Sequence, residues 1–200
     1  MKTNYQLKLD NIINENSMAE LRPSLFLHSC CGPCSSYVLE YLLPYFDITV
    51  FFYNPCIQPG DEFLRRLDTQ RETITKICGN RSLPLIAPDW DDSPYEQEIS
   101  GLENEPEGGM RCHTCFKLRL SESAKTASRL GFDFFCTTLT VSPHKNAELI
   151  NKIGGDLSER FSVKWLPSDF KKRGGYKRSV ELSREYELYR QNYCGCLYSI

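Results

Sequence analysis

The chain has 200 residues, 40% of them hydrophobic and 25% charged, enough for one globular domain with a core of useful size. Its 24 Lys and Arg stand against 26 Asp and Glu for a net charge of −2, so no global basic field draws it to nucleic acid and any such contact must come from a local patch. The opening segment is polar and mixed in charge, without the apolar core of a signal peptide, and no run approaches the roughly 18 apolar residues of a membrane span, so a cytoplasmic protein with no membrane partner is expected.

Residues 1–22 read as an N-terminal leader with some helix, followed by a single domain over 23–200. Residues 25–28 are a short apolar strand that runs into a Cys/Gly/Pro turn, and 35–43 read as a helix. Residues 47–53, DITVFFY, are β-branched and aromatic, as in a buried strand. Pro55 and Pro59 break the chain before a helix over 62–78. A short strand follows at 83–87 and a brief helix at 94–100. Residues 101–110, acidic and rich in Gly and Pro, predict a loop or flexible lid. A long helix spans 112–130 and stops at Gly131. Residues 134–139 form a strand, 146–152 begin a helix, 161–165 form a strand, 167–175 a basic loop and 176–191 a helix. Strands that alternate with helices predict an α/β domain, a parallel sheet with helices on both faces. In such sheets ligands gather at the carboxyl ends of strands, where the turn after residue 28 lies.

Cysteine is the anomaly. Ten occur, and disulfides rarely persist in the cytosol, so clustering points to metal or redox chemistry. Seven fall in three groups. His28-Ser-Cys-Cys-Gly-Pro-Cys34 places Cys30, Cys31 and Cys34 in a turn that opens a helix, where backbone N–H groups favour thiolates. Gly32 and Pro33 let that turn close tightly. Arg111-Cys-His-Thr-Cys115 puts Cys112 and Cys115 on one side of a helical turn, a spacing suited to a soft metal. Gly195 permits a bend that turns Cys194 and Cys196 inward. The alternative for any buried cysteine is a small hydrophobe in the core, the reading for Cys78 and Cys136. Cys56, after Asn-Pro at a strand end, is either core or site lining. Seven clustered thiols exceed a closed zinc tetrahedron, while an iron–sulfur cluster takes about four and leaves sulfurs for a second metal or a reactive thiol.

His28 adjoins the first group, either as a partner to sulfur and a proton donor or as a structural residue. His113 lies inside the C-x-x-C. His144, before a helix, reads as a cap or a substrate contact. Five of the nine residues from Phe170 to Arg178 are Lys or Arg, including Lys171, Lys172 and Arg173. They read as phosphate ligands for RNA, with Tyr176 stacking on a base, against the commoner solvated loop.

Together these residues resemble the QueH family of epoxyqueuosine reductases. The matching pieces are the 28–34 motif; Phe52-Tyr-Asn-Pro55 with Pro59 and Glu62; Cys112-His-Thr-Cys-Phe116; and Thr137-Thr-Leu-Thr140 with Ser142, Pro143 and His144. Asp169-Phe-Lys-Lys172, Leu182-Ser183, Leu188-Tyr-Arg-Gln191 and Tyr193-Cys-Gly-Cys196 complete the match. The resemblance implies a Rossmann-like fold of the adenine-nucleotide hydrolase (HUP-like) type, with the cysteine turn in place of a phosphate loop. It implies the last step of queuosine biosynthesis, conversion of epoxyqueuosine to queuosine at the wobble position of a tRNA. It also implies a 4Fe–4S cluster held by cysteines, room for an additional mononuclear iron, and a one-electron donor such as ferredoxin or flavodoxin. Some members carry Asp at the position of Cys34, which puts the second metal in question here.

On this reading the metal candidates are Cys30, Cys31, Cys34, Cys112, Cys115, Cys194 and Cys196, with Cys34 and His28 as catalytic candidates. The substrate candidates are Tyr53, Asn54, His144, Lys171, Lys172, Arg173, Tyr176 and Arg190. The rival readings are a zinc-stabilised RNA-binding module without catalysis and a thiol–disulfide oxidoreductase that uses Cys112 and Cys115.

Overall fold

The structure is a computed structural model that describes residues 3–79 and 82–199. Its elements in chain order are α1 (Tyr5–Met18), β1 (Ser24–His28), α2 (Gly32–Leu42), β2 (Asp47–Phe51), α3 (Gly60–Cys78), β3 (Leu85–Ile86), α4 (Ser93–Glu98), α5 (Met110–Arg129), β4 (Phe134–Thr137), α6 (Ala147–Phe161), β5 (Lys164–Trp165) and α7 (Gly175–Glu185). Among the described residues no helix is long and apolar enough to cross a membrane.

The strands make one parallel sheet in the order β3-β2-β1-β4-β5. Such a sheet needs cover on both faces, and alternation along each strand divides the core accordingly. Leu25 and Leu27 of β1, Ile48 and Val50 of β2 and Phe134 and Cys136 of β4 meet Leu9 and Ile13 of α1, Val38, Leu39 and Leu42 of α2 and Ile74 of α3. Phe26, Phe51 and Phe135 meet Phe116, Leu120 and Ala124 of α5 and Ile150 and Leu157 of α6 on the other face. This is the Rossmann-like α/β arrangement expected. α1 lies in the segment expected as a leader, and its Leu9 and Ile13 are core residues.

The order of strands positions the site. From β1 the chain builds outward through β2 to β3, then crosses back to add β4 and β5 on the other side. The loops after β1 and β4 therefore diverge at the centre of the sheet and leave a crevice. His28, at the end of β1, lies level with Phe51 of β2 and Thr137 of β4.

Several boundaries differ from expectation for physical reasons. α2 starts at Gly32, inside the cysteine turn, with Cys31 as its N-cap. Gly32 is needed for a close approach between helices: a Cβ there would lie 2.5 Å from Thr73 Oγ1 and 2.8 Å from the Thr69 carbonyl of α3. α6 runs to Phe161, past the two glycines 154 and 155, because Gly154 packs directly on the ring of Trp165. α7 ends at Glu185, and Glu187 takes a φ of 55° that turns the tail out of helix. Residues 101–110, expected as a flexible lid, are tied down. The buried Arg111 Nη1 donates to the carbonyls of Leu102, Glu103 and Glu105, and its Nη2 donates to Tyr198 O at 3.2 Å.

Gly32→Ala should force α2 away from α3 and lower stability by about 1–3 kcal/mol in urea unfolding, the usual range for overpacking. An unchanged midpoint would show that the contact yields without cost.

A candidate thiolate metal centre beside an open cleft

The first cysteine group closes on itself at the end of β1. The sulfurs of Cys30, Cys31 and Cys34 all lie within 4.8 Å of one another, a grouping able to hold a metal ion. Cys31 Sγ is 2.8 Å from Cys34 Sγ and 3.9 Å from Cys30 Sγ. The backbone N–H of Cys34 donates to Cys31 Sγ at 3.4 Å, a cap at the positive end of α2. From the turn after β4, Thr138 donates its hydroxyl to Cys30 Sγ at 3.3 Å and accepts from the Cys30 N–H at 3.1 Å. Hydrogen bonds from Cys31 and Cys34 hold the Cys30 thiol well below its ordinary range, while the same contacts push Cys31 up to about 12 and raise Cys34. Within the trio, Cys30 is the thiol most disposed to ionise.

His28 anchors this loop from beneath. Its Nε2 lies 3.1 Å from the Tyr53 carbonyl, which can only accept, so Nε2 carries the hydrogen and Nδ1 accepts from the Thr137 hydroxyl at 2.8 Å. Burial, reinforced by the positive charge of Arg119, lowers its pKa to about 3. The ring is fully buried and neutral with both nitrogens engaged. The expected proton donor therefore has no free nitrogen to offer a substrate.

The second and third groups meet around a separate small cavity of about 70 Å³, lined by Cys56, Cys112, Cys115, Cys194, Cys196 and Lys145. A hydrogen bond from Cys115 lowers the Cys56 thiol to about 6 and raises Cys115 itself. Burial raises Cys112, whose sulfur accepts from the Gly108 N–H at 3.2 Å. Burial also raises Cys196, which lies 2.9 Å from the Tyr95 hydroxyl. Cys136 lies in the core as expected, and the partly buried Cys78 packs against it.

The tail reaches this cavity through a buried clamp on α3. Arg66, 1% exposed, donates from Nε to Glu62 Oε1 at 2.6 Å, from Nη1 to Cys194 O at 2.9 Å and from Nη2 to Tyr193 O at 3.3 Å. Tyr189 donates its hydroxyl to the same Glu62 at 3.0 Å, and Tyr193 donates to Gln58 O at 2.8 Å. Gly195 takes a φ of 119°, and a Cβ there would meet Arg66 Nη1 and Ile57 Cγ1 at 2.9 Å. The bend expected at Gly195 is therefore present, and it also admits the clamp.

An open cleft of about 400 Å³ adjoins both thiol groups. Cys34, Cys194, His144, Lys145, Tyr176 and Arg190 are among its lining residues. Three of the substrate candidates therefore face one cleft: His144, Tyr176 and Arg190. Tyr53 is half-buried and stacks on Phe51 at 5.8 Å, outside the cleft. Asn54 is 1% exposed and is corrected from substrate contact to structural residue. Its Nδ2 donates to Ser29 O at 2.9 Å and its Oδ1 accepts from Arg119. Much of the basic stretch is neutralised: Lys171 pairs with Asp169 at 2.8 Å, Arg173 with Asp10 and Arg178 with Glu40.

Cys56, read from its place after a strand as either core or site lining, lines the cavity. Two participants escaped sequence reasoning. Arg119 lies one helical turn beyond Cys115, hence on the same face of α5, and its Nη1 is 3.9 Å from Cys115 Sγ. Lys145, beside the noticed His144, lies among Cys194, Cys30 and Cys34, whose negative charge outweighs burial and raises its pKa.

The family model for epoxyqueuosine reductase QueH matches residues 25–200. The chain is 44% identical to the epoxyqueuosine reductase QueH of Streptococcus pyogenes serotype M1, over 99% of this chain and 78% of that one. It is 34% identical to the protein of that name from Thermotoga maritima, over 88% of this chain and 90% of that one. A solved structure described as a predicted subunit of tRNA methyltransferase from Methanocaldococcus jannaschii shares the fold, with a TM-score of 0.52 and 15% identity over 80% of this chain and 76% of that one.

Two outcomes follow from the site's construction. Glu62→Ala leaves Arg66 buried without its counter-charge and should cost about 3–5 kcal/mol in urea unfolding, with early proteolysis of the tail; wild-type stability would show that the clamp contributes nothing. His28, with a folded pKa below its unfolded value, adds stability that is complete above pH 6.5 and is lost as pH falls toward about 3. The metal-free wild type should lose stability over that window about 1.4 kcal/mol per pH unit faster than His28→Gln. Parallel curves would contradict the buried neutral ring.

Proposed function

This chain belongs to the epoxyqueuosine reductase QueH family, and we propose that it reduces epoxyqueuosine to queuosine at the wobble position of a tRNA. It is therefore an oxidoreductase of queuosine biosynthesis. The observation that supports a metal-centred reaction is the gathering of Cys56, Cys112, Cys115, Cys194 and Cys196 around one cavity that shares Cys194 and Lys145 with an open cleft.

The residues present suit a 4Fe–4S cluster. The donor set around the cavity is rich in sulfur, and the buried Nε–H of Arg119 has no acceptor among the described residues, so it is available to a sulfide. Cys112, Cys115 and Cys194 are the proposed core of the ligand set, with Cys56 and Cys196 as competing fourth positions. Bound there, the cluster supplies electrons one at a time, so a one-electron donor such as ferredoxin or flavodoxin has to reload it. The trio of Cys30, Cys31 and Cys34 is the proposed place for an additional mononuclear iron.

The chain's own residues perform the rest. Tyr176 and Arg190, whose guanidinium lies 5.8 Å from the Tyr176 ring centre, offer a stacking face and a charge for an unstacked base. Lys172, which lines a neighbouring pocket with Lys145 and Lys171, is the proposed phosphate contact. Cys34 Sγ is the sulfur of the trio that reaches the cleft. Protonated, it can deliver a proton to an oxygen held there; deprotonated, it completes a soft metal site. His28 holds the loop that carries these sulfurs. Ten cysteines without a disulfide suit a reducing compartment, and the cytosol is the proposed location.

Anaerobic reconstitution should give a brown protein with a reducible, EPR-active cluster. Cys112→Ala and Cys194→Ala should each lose iron and lower activity by about 100-fold or more. Full iron in both variants would remove them as ligands. Stoichiometric zinc and a colourless protein would replace the reductase centre with a zinc-stabilised module.

A further inference from the structure

Three arginines are buried near the sulfurs, and they are satisfied differently: Arg111 donates to the carbonyls of Leu102, Glu103, Glu105 and Tyr198. Arg66 faces the carboxylate of Glu62. Arg119, 2% exposed, makes no ion pair with a carboxylate among the described residues, and the groups that offset its burial are Cys56, Cys115, Cys30 and Cys194. A buried guanidinium without a counter-charge is strongly destabilising, so Arg119 belongs to an anionic sulfur centre and not to the packing of α5.

Its orientation is fixed. Asn54 accepts from Nη2 through Oδ1 and donates through Nδ2 to Ser29 O, one residue before Cys30. Asn54 is itself 1% exposed, so this bracket ties α5 to the loop after β1 and leaves the guanidinium beside Cys115. Nη1 faces sulfur at 3.9 Å, and Nε has no acceptor among the described residues.

We propose that Arg119, oriented by Asn54, is the positioning residue that sets the reduction potential of the sulfur centre. The inference rests on the iron–sulfur reading above. Reduction adds one negative charge to the centre. A fixed cation and a donor to sulfur stabilise the reduced form more than the oxidised form, and a dry surrounding strengthens that difference. The one-electron donor then transfers its electron against a smaller barrier.

The test is an anaerobic redox titration followed by EPR, with iron and sulfide measured on each protein. Arg119→Gln removes the charge, Arg119→Lys keeps it, and Asn54→Asp sets a carboxylate against it. With full iron, Arg119→Gln and Asn54→Asp should each lower the reduced-to-oxidised ratio at a given potential about tenfold, a shift of about 59 mV to more negative values for a one-electron couple. Arg119→Lys should stay nearer wild type than either. Full iron and a wild-type midpoint in both charge-removing variants overturn the proposal while the cofactor reading stands. If Arg119→Gln holds no iron, Asn54→Asp decides by the same criterion. If that variant also fails, loss of iron in a folded Arg119→Lys overturns the role of charge, and retained iron with a near-wild-type midpoint supports it. A wild type that takes up no iron and sulfide removes the cofactor reading itself.

Discussion

Sulfur atoms from distant parts of the chain have to meet at one end of the sheet, and the fold is arranged around that requirement. Parallel strands send their carboxyl ends to the same edge, and the reversal of strand order between β1 and β4 opens a crevice there. The turn after β1 delivers Cys30, Cys31 and Cys34, the loop after β2 delivers Cys56, and the first turn of α5 delivers Cys112 and Cys115. The tail contributes Cys194 and Cys196, held by Arg66 with Glu62 on α3, by Arg111 on α5 and by Gln58.

Charge is distributed over this cluster in an orderly way. Within each contact set one thiol is lowered and its neighbour raised: Cys30 against Cys31 and Cys34, and Cys56 against Cys115. Arg119 on α5 and Lys145 in the loop before α6 supply positive charge. Sulfur that is neutral and buried packs as a small hydrophobe, but sulfur beside buried cations is prepared for metal or for electrons. That contrast separates Cys136, whose pKa burial raises to about 12, from Cys30 and Cys56.

The alternation of strands and helices was legible from periodicity, and so were the three cysteine groups, because their spacing is local. What was not legible depended on contacts between distant segments. Residues 186–191 have helical spacing, yet they unwind because Tyr189 has to reach Glu62, 127 positions away. Asn54 reads as an exposed loop residue until Arg119, 65 positions further on, is seen to face it. The basic stretch looked free because its carboxylate partners Asp10 and Glu40 lie far upstream. The acidic, glycine-rich segment 101–110 looked mobile because nothing local reveals that Arg111 binds its carbonyls.

The most direct measurement of the central claim is anomalous diffraction at the iron edge from crystals grown without oxygen. The account predicts iron density in the cavity among Cys112, Cys115 and Cys194, within bonding distance of sulfur alone. A cavity without iron density, or iron bound there through nitrogen and oxygen ligands in place of sulfur, would contradict it.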